Sequence, residues 1–134
     1  MATRYLLDTN ICIYIRQRRP PSVLRRFARL MPGDACLSVV TYGELRYGVA
    51  KSRERARAET LLRELVELLP VAPLPPDAGE AYGDIRAALE AKGQTIGNND
   101  LWIAAHARAA GLVLVTNNGR EFTRVAGLTV ENWV

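Results

Sequence analysis

The sequence predicts a single α/β domain over residues 1–134: a three-layer α/β/α sandwich around a mostly parallel sheet of four to five strands. Three observations predict it. Short apolar runs alternate with stretches of helical period along the whole chain. A length of 134 residues suits one hydrophobic core and leaves no room for a second. Polar clusters follow directly on apolar runs, at Asp8-Thr9-Asn10 and at Thr116-Asn117-Asn118, as expected where ligands sit beyond the carboxyl ends of parallel strands.

Taken in order, Tyr5-Leu6-Leu7 is a run suited to a buried strand, ending in Asp8, with a helix beginning near Asn10. Pro21 and Ser22 open a helix with Val23, Leu24, Phe27 and Leu30 on one face, and Pro32-Gly33 closes it. Ala35 to Ser38 is a second strand. Thr41 to Ala50 is helical, with Tyr42, Leu45 and Val49 inward, which puts Glu44 in the first turn. Arg53 to Leu69 carries Leu61, Leu62, Leu65, Leu68 and Leu69 at helical spacing, and the Pro-rich connector Pro70 to Pro76 encloses a short strand. Asp77 to Lys92 gathers Ala78, Ala81, Tyr82, Ile85 and Leu89 on one face before Gly93 stops it. Asn99 to Ala110 is another helix, Leu112 to Val115 an apolar strand, and Leu128 to Val130 an edge strand before Trp133.

With 49% hydrophobic and 24% charged residues and a mean hydropathy of -0.05, the chain belongs to the globular class rather than the disordered one. No apolar run approaches the roughly 18 residues of a membrane span. Residues Met1 to Asp8 meet a charge too early for a signal peptide. A cytoplasmic protein without membrane association is therefore expected. Cys12 and Cys36 stand alone, without zinc-ligand spacing, and are expected as reduced core thiols.

The net charge of +4 is unevenly placed. Residues 1–67 hold 13 basic and 7 acidic side chains, residues 68–134 hold 5 and 7. Sixteen of the eighteen basic residues are arginines, grouped at Arg16, Arg18, Arg19, Arg25, Arg26 and Arg29 and again at Arg46, Arg53, Arg55 and Arg57. Guanidinium forks match phosphate oxygens or a partner's carboxylates; a merely solvated surface has the same composition.

Against that basic background, Asp8 after the first strand, Glu44 after the second and Asp100 at the mouth of a helix are the candidate catalytic and metal-binding residues. Singly, each has a bland reading: Asp8 as a helix cap, Asp100 as a first-turn charge on the helix dipole, Glu44 as a solvated helix residue. Together, carboxylates crowded at strand ends repel one another, and a hard divalent cation, Mg2+ or Mn2+, relieves that repulsion. Such an ion activates water and clamps a phosphate, and two ions about 4 Å apart serve the attacking and leaving oxygens separately. The only histidine, His106, lies one turn from Trp102 among alanines and reads as a packed residue, which excludes a two-histidine ribonuclease. Water as nucleophile predicts 5'-phosphate and 3'-hydroxyl ends.

The blocks YLLDTNICIYI, SVVTYGELRYG, IGNNDLWIAAHA, LVTNNGREF and GLTVENW, in this order and spacing, resemble the PIN-domain ribonucleases of the VapC toxin family from Tyr5 to Trp133. The resemblance implies a magnesium-dependent endoribonuclease acting on transfer or ribosomal RNA to inhibit translation, half of a type II toxin–antitoxin pair. It maps the family's acidic positions onto Asp8, Glu44 and Asp100. It also implies a VapB-like antitoxin and a homodimer. The stripe Leu61, Leu62, Leu65, Leu68 is a groove for an antitoxin helix or, in the plainer reading, core.

One departure stands out. Many PIN domains carry a fourth acidic residue after the strand corresponding to Leu112 to Val115, where this chain has Asn118. An amide holds water but adds no charge, which leaves a second metal site open. Glu121 lies close enough in sequence to compensate, and Asn10, Ser38, Thr116 and Asn118 are candidate hydrogen-bond supports of the site. A haloacid-dehalogenase-type phosphotransferase needs an Asp where Asn10 stands, and a receiver domain needs a late lysine, whereas the only lysines are Lys51 and Lys92. The remaining alternative is a catalytically inactive PIN-like RNA-binding or protein-interaction module, which would show no Mn2+ binding dependent on Asp8.

Overall fold

The computed structural model describes residues 2–134. Five strands, β1 (Tyr5–Leu7), β2 (Ala35–Ser38), β3 (Val71–Ala72), β4 (Val113–Val115) and β5 (Val130–Glu131), form one sheet in the order β3-β2-β1-β4-β5. Every pairing is parallel. Seven helices connect and cover them: α1 (Thr9–Gln17), α2 (Pro21–Ala28), α3 (Val39–Lys51), α4 (Arg55–Leu68), α5 (Asp77–Ala91), α6 (Asn98–Ala110) and α7 (Gly119–Phe122). The expected three-layer α/β/α arrangement is the one observed.

The layers follow from the two-residue period of a strand. In β1, Leu7 points to the side of α1 to α4, where it joins Ile11, Ile15, Val23, Leu45, Leu62 and Leu65 in one core. Leu6 points the other way, into a second core with Ile85, Leu89, Ile103, Ala104 and Phe122 of α5, α6 and α7. Both leucines are fully buried. Buried Ala104, Ala105 and Ala107 let α6 lie close to the sheet. β1 is flanked by β2 on one side and β4 on the other, so the chain reverses its direction of sheet growth there. A crevice opens at the carboxyl ends of adjacent strands at such a point.

Two boundaries and one burial pattern differ from the expectation with physical cause. α3 begins at Val39 because the Ser38 hydroxyl accepts a hydrogen bond from the Val40 amide at 3.2 Å and caps the helix. That cap converts the β-branched pair Val39-Val40 from strand extension to helix, and Glu44 consequently sits in the second turn, not the first. β5 lies at Val130–Glu131, later than Leu128 to Val130, because register with β4 pairs Leu114 with Val130 and Val115 with Glu131. The leucine stripe of α4 divides: Leu62 and Leu65 are core, Leu61 is half-buried, and Leu68 is 62% exposed. Cys12 and Cys36 are free and buried, and burial pushes both thiols above their ordinary range, Cys36 to about 11.

The division of α4 is directly testable. Leu65→Ala opens a cavity in the first core and is expected to cost about 2–4 kcal/mol in urea unfolding, whereas Leu68→Ala is expected to stay within about 0.5 kcal/mol. Equal midpoint shifts for the two variants would contradict the packing described.

Candidate active site

Asp8 ends β1 and caps α1 in the same residue. Its backbone amide donates to the Val115 carbonyl of β4 at 3.0 Å, which extends the sheet by one bond. Its Oδ1 accepts from the Ile11 amide at 2.9 Å, and its Oδ2 accepts from the Thr116 hydroxyl. Thr116 is itself oriented by the Asn118 amide, which donates to its Oγ1 at 2.9 Å. Asp8 is only 5% exposed, and burial raises its pKa despite these donors. The neighbouring Glu44 charge adds to the rise.

Glu44 reaches the same region from α3. Its Oε1 accepts from the Thr9 hydroxyl at 2.7 Å, and Thr9 lies 3.2 Å from the buried Thr41 hydroxyl. Since Thr9 has one proton to give, it donates to Glu44 and accepts from Thr41. Neither Thr9 nor Thr41 is singled out by sequence reasoning, although both flank the motif carboxylates: Thr9 follows Asp8, and Thr41 precedes Glu44 by one helical turn.

Asp100 is the third residue of α6. Among the described residues no protein hydrogen bond supports its half-buried carboxylate. Its pKa rises to about 6, first through burial and then through the charges of Glu121, Glu44 and Asp8, in that order. The four carboxylates therefore share one electrostatic neighbourhood, and Glu121 of α7 contributes more to it than the two motif residues do. Asn118 turns its backbone, not its side chain, to structural use: its carbonyl accepts from the Glu121 and Phe122 amides and starts α7. That turn is what presents Glu121.

The remaining candidates stand apart from the carboxylates. Asn10 is exposed on α1, and its backbone amide, not its side chain, contributes a hydrogen bond to Asp8. Ser38 is fully buried, and its Oγ lies 2.9 Å from His106 Nδ1. That oxygen also accepts from the Val40 amide, and burial lowers the pKa of the imidazole it pairs with. His106 is thus a neutral core residue that ties the start of α3 to α6, consistent with the packed role expected of it.

The donor chemistry suits a hard cation. All candidate ligands are carboxylate oxygens, and their mutual repulsion is the load that a divalent charge removes. Among the described residues no three His, Cys, Asp or Glu side chains close into a ready-made cage. Such a site suits an ion that retains most of its water and takes one or two carboxylates.

Comparison with known proteins identifies the family. The PIN domain model matches residues 5–128. The chain belongs to the PIN-domain family. Within it, the chain is 44% identical over 131 residues to the ribonuclease VapC2 of Haemophilus influenzae, covering 98% of both chains. It is 43% identical to the tRNA(fMet)-specific endonuclease VapC of Shigella flexneri, over 97% of this chain and 98% of that one. The crystal structure of VapBC2 from Rickettsia felis bound to a DNA fragment from its promoter superposes with a TM-score of 0.92 at 38% identity, covering 98% of this chain and 100% of the other. The PIN domain described here is accordingly that of a VapC-type nuclease.

Two outcomes follow from the electrostatics. Asp100 holds its proton to higher pH in the fold than in the unfolded chain, so the stability it permits is complete below about 4 and is lost as pH rises through about 6. In chelator, Asp100→Asn is therefore expected to be more stable than wild type at pH 7.5 by about 1–2 kcal/mol after allowance for solvent screening, and indistinguishable from it below pH 4. Thermal melts across that range check it. For Asp8, loss of the cap and of the Thr116 partner predicts a cost of about 2–3 kcal/mol in Asp8→Ala, with Asp8→Asn, which keeps one acceptor, costing about 1 kcal/mol. Denaturant midpoints of the two variants measure the difference.

Proposed function

We propose that this PIN-domain protein is the endoribonuclease toxin of a VapBC-like toxin–antitoxin pair, with Mg2+ or Mn2+ as its cofactor and tRNA as its substrate. The observation that carries the reading is the placing of Asp8, Glu44, Asp100 and Glu121 in one electrostatic neighbourhood, where burial first and then the charges of the other three raise Asp100 to about 6. A tRNA(fMet)-specific relative at 43% identity supports transfer RNA over ribosomal RNA. The VapBC2 neighbour supports a VapB-like antitoxin as partner. A homodimer, cytoplasmic location and inhibition of translation by loss of the cleaved tRNA complete the proposal.

Asp8 and Asp100 would hold the ion, with Glu44 as a further ligand or as the acceptor that orients water. When bound, a divalent ion neutralises charge on the scissile phosphate and makes water acidic enough to attack near neutral pH. The protein's own part is positioning. Asp8 is held rigidly by the Ile11 amide and the Thr116 hydroxyl, while Thr9 fixes one oxygen of Glu44 and leaves the other free. Asp100, with no hydrogen bond of its own, is the carboxylate most responsive to a cation. His106 takes no part in proton transfer, because its ring is buried against Ser38.

Purified protein incubated with a tRNA pool and Mg2+ or Mn2+ is expected to give discrete fragments bearing 5'-phosphate and 3'-hydroxyl ends. Asp8→Asn and Asp100→Asn are each expected to lower the rate at least 100-fold, and chelation to abolish it. A 2',3'-cyclic phosphate on the products, or undiminished cleavage by Asp8→Asn, would overturn the mechanism. Absence of both cleavage and Asp8-dependent Mn2+ binding would favour an inactive RNA-binding module.

A further inference from the structure

A trough runs away from Glu44. Its near part, about 790 Å³, is lined by Thr9, Glu44 and Asn99 and continues past Arg16 and Lys51. Its far part, about 680 Å³, shares Arg16 and Gly48 with the first and is walled by Arg18, Arg19, Arg57 and Glu54. The walls come from α1 and the loop that follows it, from the length of α3 and from the start of α4. Four arginines therefore line one continuous depression that ends at the candidate active site.

Among the described residues these arginines have no acidic partner. Ion pairs among the described residues engage Arg26, Arg46, Arg63 and Arg86, and none engages Arg16, Arg18, Arg19 or Arg57. No side-chain hydrogen bond among the described residues occupies them either. By contrast, Arg46 is clamped by both oxygens of Glu59. Glu54 and Glu44 are the only acidic residues on the trough's wall. Arg18 adds a conformational observation. Among the described residues it is the single non-glycine at positive φ, with φ 60 and ψ 39 as it caps α1. Glycine would adopt that conformation without strain, yet the position carries a guanidinium over the trough.

We propose that this trough is the track for the phosphate backbone of the RNA strand on one side of the scissile bond, with Arg16, Arg18, Arg19 and Arg57 as its phosphate contacts. A row of unpaired guanidiniums leading to an acidic centre has a plain electrostatic use. The centre by itself repels a polyanion, and the row supplies the attraction that brings the scissile phosphate to it. Because phosphates carry no sequence information, the track positions the strand and leaves choice of the cleavage site to other contacts. The inference rests on the proposed ribonuclease function, but its test reads binding rather than cleavage.

The experiment uses full-length Asp8→Asn protein and a fluorescent single-stranded RNA, with affinity measured by anisotropy from 50 to 300 mM salt. Replacing the four arginines together, with Arg18→Gly and Arg16→Gln, Arg19→Gln and Arg57→Gln, is expected to flatten the slope of log affinity against log salt by about 2–3, as removal of four contacts to a single strand requires. Four exposed basic residues outside the trough, Arg25, Arg29, Lys92 and Arg108, changed to Gln, provide the charge-matched control and are expected to flatten it by less than about 1. Arg18→Gly alone sheds a charge while relieving its backbone, so weakened RNA binding in that variant, with an unchanged or raised Tm, is not unfolding. In otherwise wild-type protein the fourfold variant is expected to raise KM for tRNA at least tenfold with kcat within about threefold. Equal slopes for trough and control variants would overturn the proposal. So would RNA binding indifferent to the four substitutions while a synthetic acidic peptide loses affinity, which would assign the trough to a protein segment.

Discussion

The anchorage of one buried carboxylate organises this fold. Asp8 pairs its amide to β4, caps α1 and accepts the Thr116 hydroxyl, so strand, helix and neighbouring loop meet on a single residue. An anion with 5% exposure is costly in a protein interior, and its three local donors offset that cost without restoring its ordinary acidity. The residual imbalance is useful. A carboxylate kept slightly against its preference, beside others like it, gives a cation something to relieve.

The other carboxylates are placed by elements that share that strain. Glu44 hangs on α3 and Asp100 on α6, and the buried Ser38–His106 contact joins the start of one helix to the middle of the other. A single polar bond in an otherwise apolar layer has a definite geometry that leucine packing lacks, so it fixes how α3 and α6 sit together. Thr9 and Thr41 do the same on a smaller scale, giving Glu44 one hydrogen-bonded oxygen. Asp100 has no such support among the described residues, and burial together with the neighbouring charges raises its pKa to about 6.

The charge distribution beyond the site has two parts with opposite signs. The acidic centre lies at the carboxyl end of the sheet, and the unpaired arginines of α1 and α4 lie along the trough that leaves it. Arg46 and Arg63, which pair with Glu59 on the outer face, contribute little to either stability or attraction. Net charge alone therefore understates the field that a polyanion meets, since it averages neutralised arginines with free ones.

The sequence by itself determined the layered α/β class, the carboxyl ends of β1, β2 and β4 and the positions of Asp8 and Asp100, because hydrophobic period and the polar residue that interrupts it are local properties of the chain. It also placed Glu44 on the right helix, though one turn early, since the Ser38 cap that starts α3 at Val39 is a competition between hydrogen bonds and strand propensity. Tertiary structure alone decided the rest. Whether Leu68 is core or surface, whether Ser38 faces the carboxylates or His106, and whether Glu121 belongs to the acidic neighbourhood are questions of which elements are adjacent. Adjacency arises from packing two apolar cores on opposite faces of the sheet, and no spacing within one segment encodes it. The arginine trough shows this most clearly: its residues lie in two segments some forty positions apart in sequence, and only the packing of α1 against α3 and α4 turns two basic clusters into one path.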